Sequence, residues 1–408
     1  MISAQAPLPE PTGRGRSDPR PLRQRTLQAA ASGSAADADA SAPRIRDYIG
    51  PLTPRRLAAI VLALLVYAVA GEFVVRWFNV QTEFIQREMF RADDHLMFRM
   101  LPNYHGVMSK RAVPVSTDSW GLRDREYGPP PPGTLRVYVL GDSLIFGYGV
   151  PIEQTYTRAL ERLLSQRLGR PVEVVNGGIP GYGTLQELAF FEETAERVQP
   201  NVVVLVSSVL NDATDNVKYE SRAQHRLGVA HGPLFRVVSW LRENSQLMLL
   251  LKRRFTGNDA VEELQVHAVH PPAKVERGLQ LIEESLQGFA QAAHRHGATF
   301  GAVLTPAHRQ VSPAMWAETL RHHKLRAADY ARNQPDARLM GYAQHAGIPM
   351  LDVQPMIEQH QEEQFYWDGD GEHWEAHGHE LMAEATADFL ARHNLLDAAA
   401  AAAPGAQQ

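Results

Sequence analysis

The chain contains no cysteine among its 408 residues. That removes disulfides, a thiol nucleophile and thiolate metal sites from consideration without fixing a compartment. It also lacks a strong charge of either sign: the formal net charge is −5, so nothing favours a nucleic-acid partner. No internal repeat is evident. The glycines of Gly178-x-x-Gly181-x-Gly183 do not have the dinucleotide-binding spacing, and no phosphate-loop lysine follows them. The histidine pairs His294/His296 and His322/His323, and the trio His373, His377 and His379, have spacings that a metal could use. His373 has a better use, given below, and His377 and His379 read as the polar face of the last helix. No cofactor or metal is therefore expected.

What is present begins with a strongly uneven N-terminal third. Residues 1–50 are rich in Ala, Pro, Ser and Arg and have almost no aliphatic periodicity, so they cannot bury enough surface to offset their ordering entropy and read as disordered. Residues 395–408 read as a low-complexity tail of the same kind. Between 51 and 80 lies LAAIVLALLVYAVAGEFVVRWF, uncharged from Leu57 to Gly71. At ~1.5 Å per residue this run reaches across the ~30 Å of a bilayer core. Glu72 stands four residues before Arg76, with Trp77 and Phe78 as aromatic anchors. Residues 1–56 hold nine arginines against five acids, which places the N-terminus in the cytoplasm and the remainder outside, in the periplasm or cell exterior. Ala68-Val69-Ala70 resembles a signal-peptidase site, and a buried soluble helix is a further alternative; the single-pass anchor is the preferred reading.

Residues 81–133, of mixed polarity, read as a linker or small extension closed by the stiff run Gly128-Pro-Pro-Pro-Pro-Gly133. Short apolar runs then alternate with helical periodicity. Strands are expected at 135–140, 172–175, 202–206, 299–304 and 348–353. Helices are expected at 155–168, 184–198, 274–296, 337–345 and 377–393. Continuous apolar strands between helices predict an α/β, three-layer, doubly wound parallel sheet, with strand order 2-1-3-4-5, over residues 134–394. Residues 212–273 break the rhythm. Within them 234–255 reads as two short helices, forming a packed cap, a lid, or a surface lying on the membrane through Lys252, Arg253 and Arg254.

In such a sheet functional groups gather beyond the carboxyl ends of the strands. The first strand ends in Gly141-Asp142-Ser143, the second leads into Asn176 to Gly183 (NGGIPGYG), and the third into Asn211-Asp212. Beyond the fifth comes Asp368 to Trp374 (DGDGEHW). Acyl transfer needs this set. A serine hydroxyl is a weak nucleophile until a base takes its proton, His373 can be that base, and Asp370 can orient its imidazole. The backbone amides of Ser143 and Gly181 and the side-chain amide of Asn211 suit an oxyanion hole. Asp142 reads as a turn-stabilising carboxylate, and Asp212 and Asp215 as loop structure.

These motifs resemble the GDSL, or SGNH, hydrolases, in which four sequence blocks supply Ser, Gly, Asn and His. Gly141-Asp142-Ser143-Leu144 with Gly147-Tyr148 matches the first block, Asn176 to Gly181 the second, Asn211-Asp212 the third and Asp370-x-x-His373 the last. The resemblance implies a flavodoxin-like hydrolase fold and a serine ester hydrolase acting on small acyl groups, an acetylated carbohydrate among them. O-acyl transfer to an envelope polysaccharide and a non-catalytic binding protein are the alternatives. Trp120-Gly121-Leu122-Arg123-Asp124 together with the anchor is similar to a membrane-attached bacterial subgroup. One departure stands out: Val209 occupies the position, two before Asn211, where the family often has glycine, and its bulk is expected to reshape the acyl pocket or tilt Asn211.

Overall fold

Leu135–Gly141 is buried along its whole length, as a strand covered on both faces must be. A computed structural model of the chain describes residues 53–77, 87–108, 111–226, 245, 247–248, 259–360, 364–368 and 372–397. The chain divides into two units, Met1–Ala70 and Gly71–Gln408. The expected disordered segment 1–50, the tail beyond 397 and most of the 227–258 stretch, including the paired helices expected at 234–255, lie outside the described residues.

The first described element is helix α1, Pro54–Trp77, in which a stretch of 18 residues has a mean hydropathy of 2.4; it is long and apolar enough to cross a membrane. Leu62, Leu64, Tyr67 and Val69 are all exposed. Glu72 and Arg76 pair at 2.7 Å, as their spacing predicts. Glu72 also accepts hydrogen bonds from the Ser245 hydroxyl and the Leu247 amide.

Residues 90–116 form two antiparallel hairpins. In the first, β1 (Phe90–Asp93) pairs with β2 (Met97–Met100); in the second, β3 (His105–Met108) pairs with β4 (Val113–Ser116). Both were hidden in what reads as a linker. The alternation in Val113-Pro114-Val115-Ser116 is a strand signal, with the valines buried and Pro114 and Ser116 exposed. Met100, Met108, Val115, Leu122 and Tyr127 join the main core. The extension is therefore part of the catalytic body.

The main sheet is parallel, with β6 (Val172–Gly178), β5 (Leu135–Gly141), β7 (Val202–Ser208), β8 (Thr299–Thr305) and β9 (Met350–Asp352) side by side in that spatial order. This is the expected 2-1-3-4-5 winding. Successive side chains point to opposite faces. Val137 and Val139 pack with α3 (Tyr156–Leu168) and α12 (Ala376–Arg392) through Tyr156, Leu160 and Phe389. Tyr138 and Leu140 pack instead with α4 (Thr184–Val198) and α7 (Ala273–Arg295) through Phe191, Ile282 and Phe289. Between them run the short α2 (Ser143–Phe146), α5 (Val209–Arg226) and α6 (Asp259–Leu264). α8 (His308–Val311), α9 (Pro313–His322), α10 (Gln334–Ala346) and α11 (Gln354–Gln359) complete the described helices. The chain moves outward from β5 to β6 and then crosses back to β7, so the end of β5 lies at the reversal, where a crevice opens in sheets of this kind.

Candidate active site

Ser143 stands two residues beyond β5, at the first position of α2. Gly141 permits this turn. A Cβ there would lie 2.5 Å from Ile145 Cγ1 and 3.0 Å from the Val206 carbonyl oxygen. Asp142 caps α2, its Oδ1 accepting from the Leu144 amide at 2.8 Å. Its Oδ2 accepts from Asn211 Nδ2 at 2.8 Å, so one carboxylate ties the nucleophile turn to the start of α5. Burial pushes the Asp142 carboxyl up, while these two hydrogen bonds act in the opposite sense.

The second loop is joined to the first by backbone contact. The Ile179 amide donates to the Gly141 carbonyl at 3.0 Å, and the Gly178 amide donates to Asn176 Oδ1 at 3.0 Å. A Cβ on Gly178 would sit 2.2 Å from the Phe146 nitrogen, so only glycine allows this approach. Gly181 has φ +82° and an exposed position.

Asn211 lies in the first turn of α5. Asp212 and Asp215 are therefore helical rather than loop residues. Asp212 accepts a hydrogen bond from Ser207 Oγ at 2.6 Å, and Asp215 pairs with Lys218 at 2.7 Å. Val209 is buried in the main core and is not among the residues that line the cleft at Ser143. Its side chain is turned into the protein, so of the two expected effects it does not reshape the cleft by lining it.

His373 arrives from the far side of the sheet, on the loop after α11. Its Nε2 lies 2.8 Å from Ser143 Oγ. Its ring packs on Tyr148 at 4.6 Å between centroids. The arms of its loop are fastened together by a bridge between Tyr366 and Trp374, by the Glu375 amide donating to the Phe365 carbonyl at 2.9 Å, and by the Trp367 amide donating to the His373 carbonyl at 2.8 Å. Asp370, the expected orienting acid, lies outside the described residues.

Ser143, Asn211 and His373 open onto one cleft of about 90 Å³, walled also by Ser208, Glu263 and Glu372. Gly181 is not among its lining residues. The Glu263 carboxyl is held up by burial against the pull of Arg309, which pairs with it at 2.8 Å. A serine hydroxyl, an imidazole and a side-chain amide on one polar cleft suit addition to a carbonyl.

Several supporting residues had no role in the sequence analysis. Arg123 is fully buried and donates to three carbonyls of the loop after Ser143: Phe146 at 3.0 Å, Gly147 at 2.6 Å and Val150 at 2.8 Å. Burial lowers its pKa to about 10, which leaves it charged. Asp124 accepts from the Asn176 amide at 2.9 Å and pairs with Arg158. The adjacent Arg-Asp of WGLRD thus holds the first and second loops. Gly121 in the same motif has φ +86°, and a Cβ there would meet the Met100 carbonyl at 2.6 Å. Its unusual density of turn and charged residues was the available signal. Glu187 is buried with both carboxyl oxygens unpartnered; burial, then Asp212, Asp142 and Asp215, push its pKa well up. His379 corrects an expectation. It is buried rather than on a polar face: its Nδ1 accepts from the Tyr156 amide at 3.2 Å, and burial lowers its pKa to about 3. His377 is exposed, as expected.

Residues 139–381 match the family described as GDSL-like Lipase/Acylhydrolase. No curated protein matches the chain in sequence. Among solved structures it is similar to TesA, at 16% identity and a TM-score of 0.36 over 63% of this chain and 98% of that one. A two-domain esterase (CEX) active on acetylated mannans is 14% identical, with a TM-score of 0.35 over 64% of this chain and 49% of that one. A catalytic mutant of Axe2, an acetylxylan esterase from Geobacillus stearothermophilus, is 14% identical, with a TM-score of 0.37 over 63% and 94%. Since the sequence match runs from inside β5 to inside α12 and so takes in every loop of the cleft, the chain belongs to the GDSL-like lipase/acylhydrolase family and is an ester hydrolase.

Proposed function

We propose that the protein is a membrane-anchored serine ester hydrolase that works through an acyl-enzyme on esters of small acyl groups, with an acetylated carbohydrate as the substrate class. The observation that carries this reading is the 2.8 Å separation of Ser143 Oγ and His373 Nε2 at the floor of a polar cleft. The hydroxyl donates to Nε2, which takes its proton as Oγ attacks the ester carbonyl. The developing oxyanion is received by the Ser143 and Gly181 amides and by Asn211. Nδ2 of Asn211 carries two hydrogens, and only one is used on Asp142. Protonated His373 then gives its proton to the departing alcohol oxygen. Water, activated by the same nitrogen, releases the acid and restores the serine. Asp370 is assigned to orient His373 and to stabilise its imidazolium.

A cleft of about 90 Å³ favours small acyl groups; pockets for drug-sized ligands measure roughly 300–1,000 Å³. Its Ser208, Asn211, Glu263 and Glu372 side chains suit a hydroxyl-rich alcohol. The anchor reading rests on α1, whose apolar side chains are exposed around the helix and would be covered by lipid. The arginine excess before it assigns the N-terminus to the cytoplasm and the hydrolase to the periplasmic or outer side.

The test uses the full chain in mild detergent. Wild type and Ser143→Ala are compared on 4-nitrophenyl acetate and on longer acyl esters, together with fluorophosphonate labelling of Ser143. Serine-dependent turnover with acetyl preference is expected, and acetate release from acetylated saccharides should follow. Transfer to an added sugar in preference to water would reassign the protein as an acyltransferase. A folded chain with neither turnover nor labelling would make it a binding protein. Protease access from each side of the membrane checks the topology, which fails if residues 81–408 prove cytoplasmic.

A further inference from the structure

We infer that Arg111, on the turn between β3 and β4, is a positioning residue for the base His373, so that the N-terminal hairpins complete the catalytic machinery. The inference rests on the reading of His373 as the general base. Arg111 lies 264 residues from Glu375 in sequence, yet its Nη1 donates to Glu375 Oε2 at 2.9 Å and its Nη2 donates to Oε1. The same guanidinium lies 4.4 Å over the ring of Trp367. Trp367 and Glu375 stand on opposite arms of the loop that carries His373. Each arm lies close to the base: the Trp367 amide donates to the His373 carbonyl, and Glu375 is two residues along the chain. One side chain therefore pins both arms, by a two-pronged ion pair on one and by stacking on the other.

The third side of this contact is the nucleophile loop. A Cβ on Gly149 would lie 3.6 Å from Arg111 Cδ and 3.8 Å from Trp367 Cε3, so Arg111 and Trp367 both lie beside the backbone next to Tyr148. Tyr148 is the ring packed on His373. Arg111 thus touches both arms of the base's loop and lies beside the strand-end loop that supplies its ring partner. A fork-shaped, stackable cation is needed for this. Lysine would keep the charge but not the paired hydrogen bonds or the planar stack. Errors near 1 Å in the placement of a reacting group cost ~10²-fold in rate, so a residue that fixes the base's loop should act on kcat.

The experiment measures kcat and KM on 4-nitrophenyl acetate with the full chain, counting active sites by complete fluorophosphonate titration. Arg111→Ala is expected to lower kcat per titrated serine about 10–100-fold, with KM held within about twofold and labelling slowed in parallel. Arg111→Lys should recover part of the loss. Adding Glu375→Gln to Arg111→Ala should cost little more, because the pair is already broken. If Arg111→Ala does not fold, Glu375→Gln alone carries the test, with a smaller loss of kcat in the same direction. A purely structural Arg111 would lower the melting temperature and the number of titratable sites while leaving kcat per site unchanged, and that result overturns the inference. Ser143→Ala and His373→Ala run alongside. If either retains activity, the reading of the catalytic pair fails and takes this inference with it. If both are inactive and Arg111→Ala is unchanged per site, only the inference fails.

Discussion

The two sides of the cleft are built in different ways. Ser143 is placed by backbone. A buried central strand ends at it, a capped turn follows, and neighbouring loops meet that turn through the Gly141 carbonyl and the Gly178 approach to Phe146. His373 sits on a loop that no strand enters directly; a few backbone hydrogen bonds join its arms, and the side chains of Tyr148, Trp367, Glu375 and Arg111 hold it against the rest of the protein. A backbone-built site inherits the stiffness of the sheet and is costly to disturb. A side-chain-built site can be loosened one contact at a time. Damage to the nucleophile side should therefore cost both stability and rate, whereas damage to the base side should cost mainly rate.

The largest expected effect that sharpens this contrast is Asn211→Ala. Removing one oxyanion donor should lower kcat by ~10²–10³, measured per titrated serine, with a KM change that is small beside it. Next is Arg123→Ala, which strips a guanidinium from three buried carbonyls of the loop after Ser143. It should destabilise the fold by about 3 kcal/mol in urea unfolding and reduce activity as well. A stability loss as small as that of Arg111→Ala would break the contrast.

Asp142→Asn is expected to be milder. The carboxylate uses one oxygen on the Leu144 amide and the other on Asn211, whereas an amide has a single acceptor oxygen. Either the cap or the Asn211 contact is lost. We expect about tenfold in kcat, with a stability change near 1 kcal/mol by thermal unfolding.

The smallest effect lies away from the cleft and serves as a control for it. Burial, with Asp352 adding to it, raises the Asp336 pKa from 3.8 to about 7. Between those two values the folded state holds a proton that the unfolded state has released, so this group makes stability fall as pH rises from about 4 to 7. Asp336→Asn should flatten that decline, read as urea midpoints at several pH values, without changing kcat. An unchanged slope would show that Asp336 is ionised in the folded protein.

Much of this was legible in the chain. The expected strands and helices fall within a few residues of those observed, because apolar periodicity records directly which residues face a core. Gly-Asp-Ser alone reads as an ordinary turn; the position of Ser143 was readable because four motifs follow predicted strands in order. His379 was misread although the signal was present. It shares a helical face with Met382, Ala383 and Thr386, all buried, and a titratable residue on an apolar stripe is still a core residue. Val209 was misread for the opposite reason. Its size was visible, but its direction was set by the start of α5, which the family pattern does not record. The hairpins at 90–116 were missed because four-residue strands give too few alternations to stand out from mixed polarity.

The sequence by itself therefore determined the alternation of strands and helices, the serine at the end of the first core strand and the family to which the chemistry belongs. These follow from local periodicity and from motifs a few residues long. Only the tertiary structure decided that Arg123 and Asp124 clasp the nucleophile loops, that Asp142 holds Asn211, and that Arg111 reaches the loop of His373. Each of these is a pairing of polar groups far apart in the chain. Its partner is chosen by the geometry of packed elements, and no short-range pattern encodes that geometry.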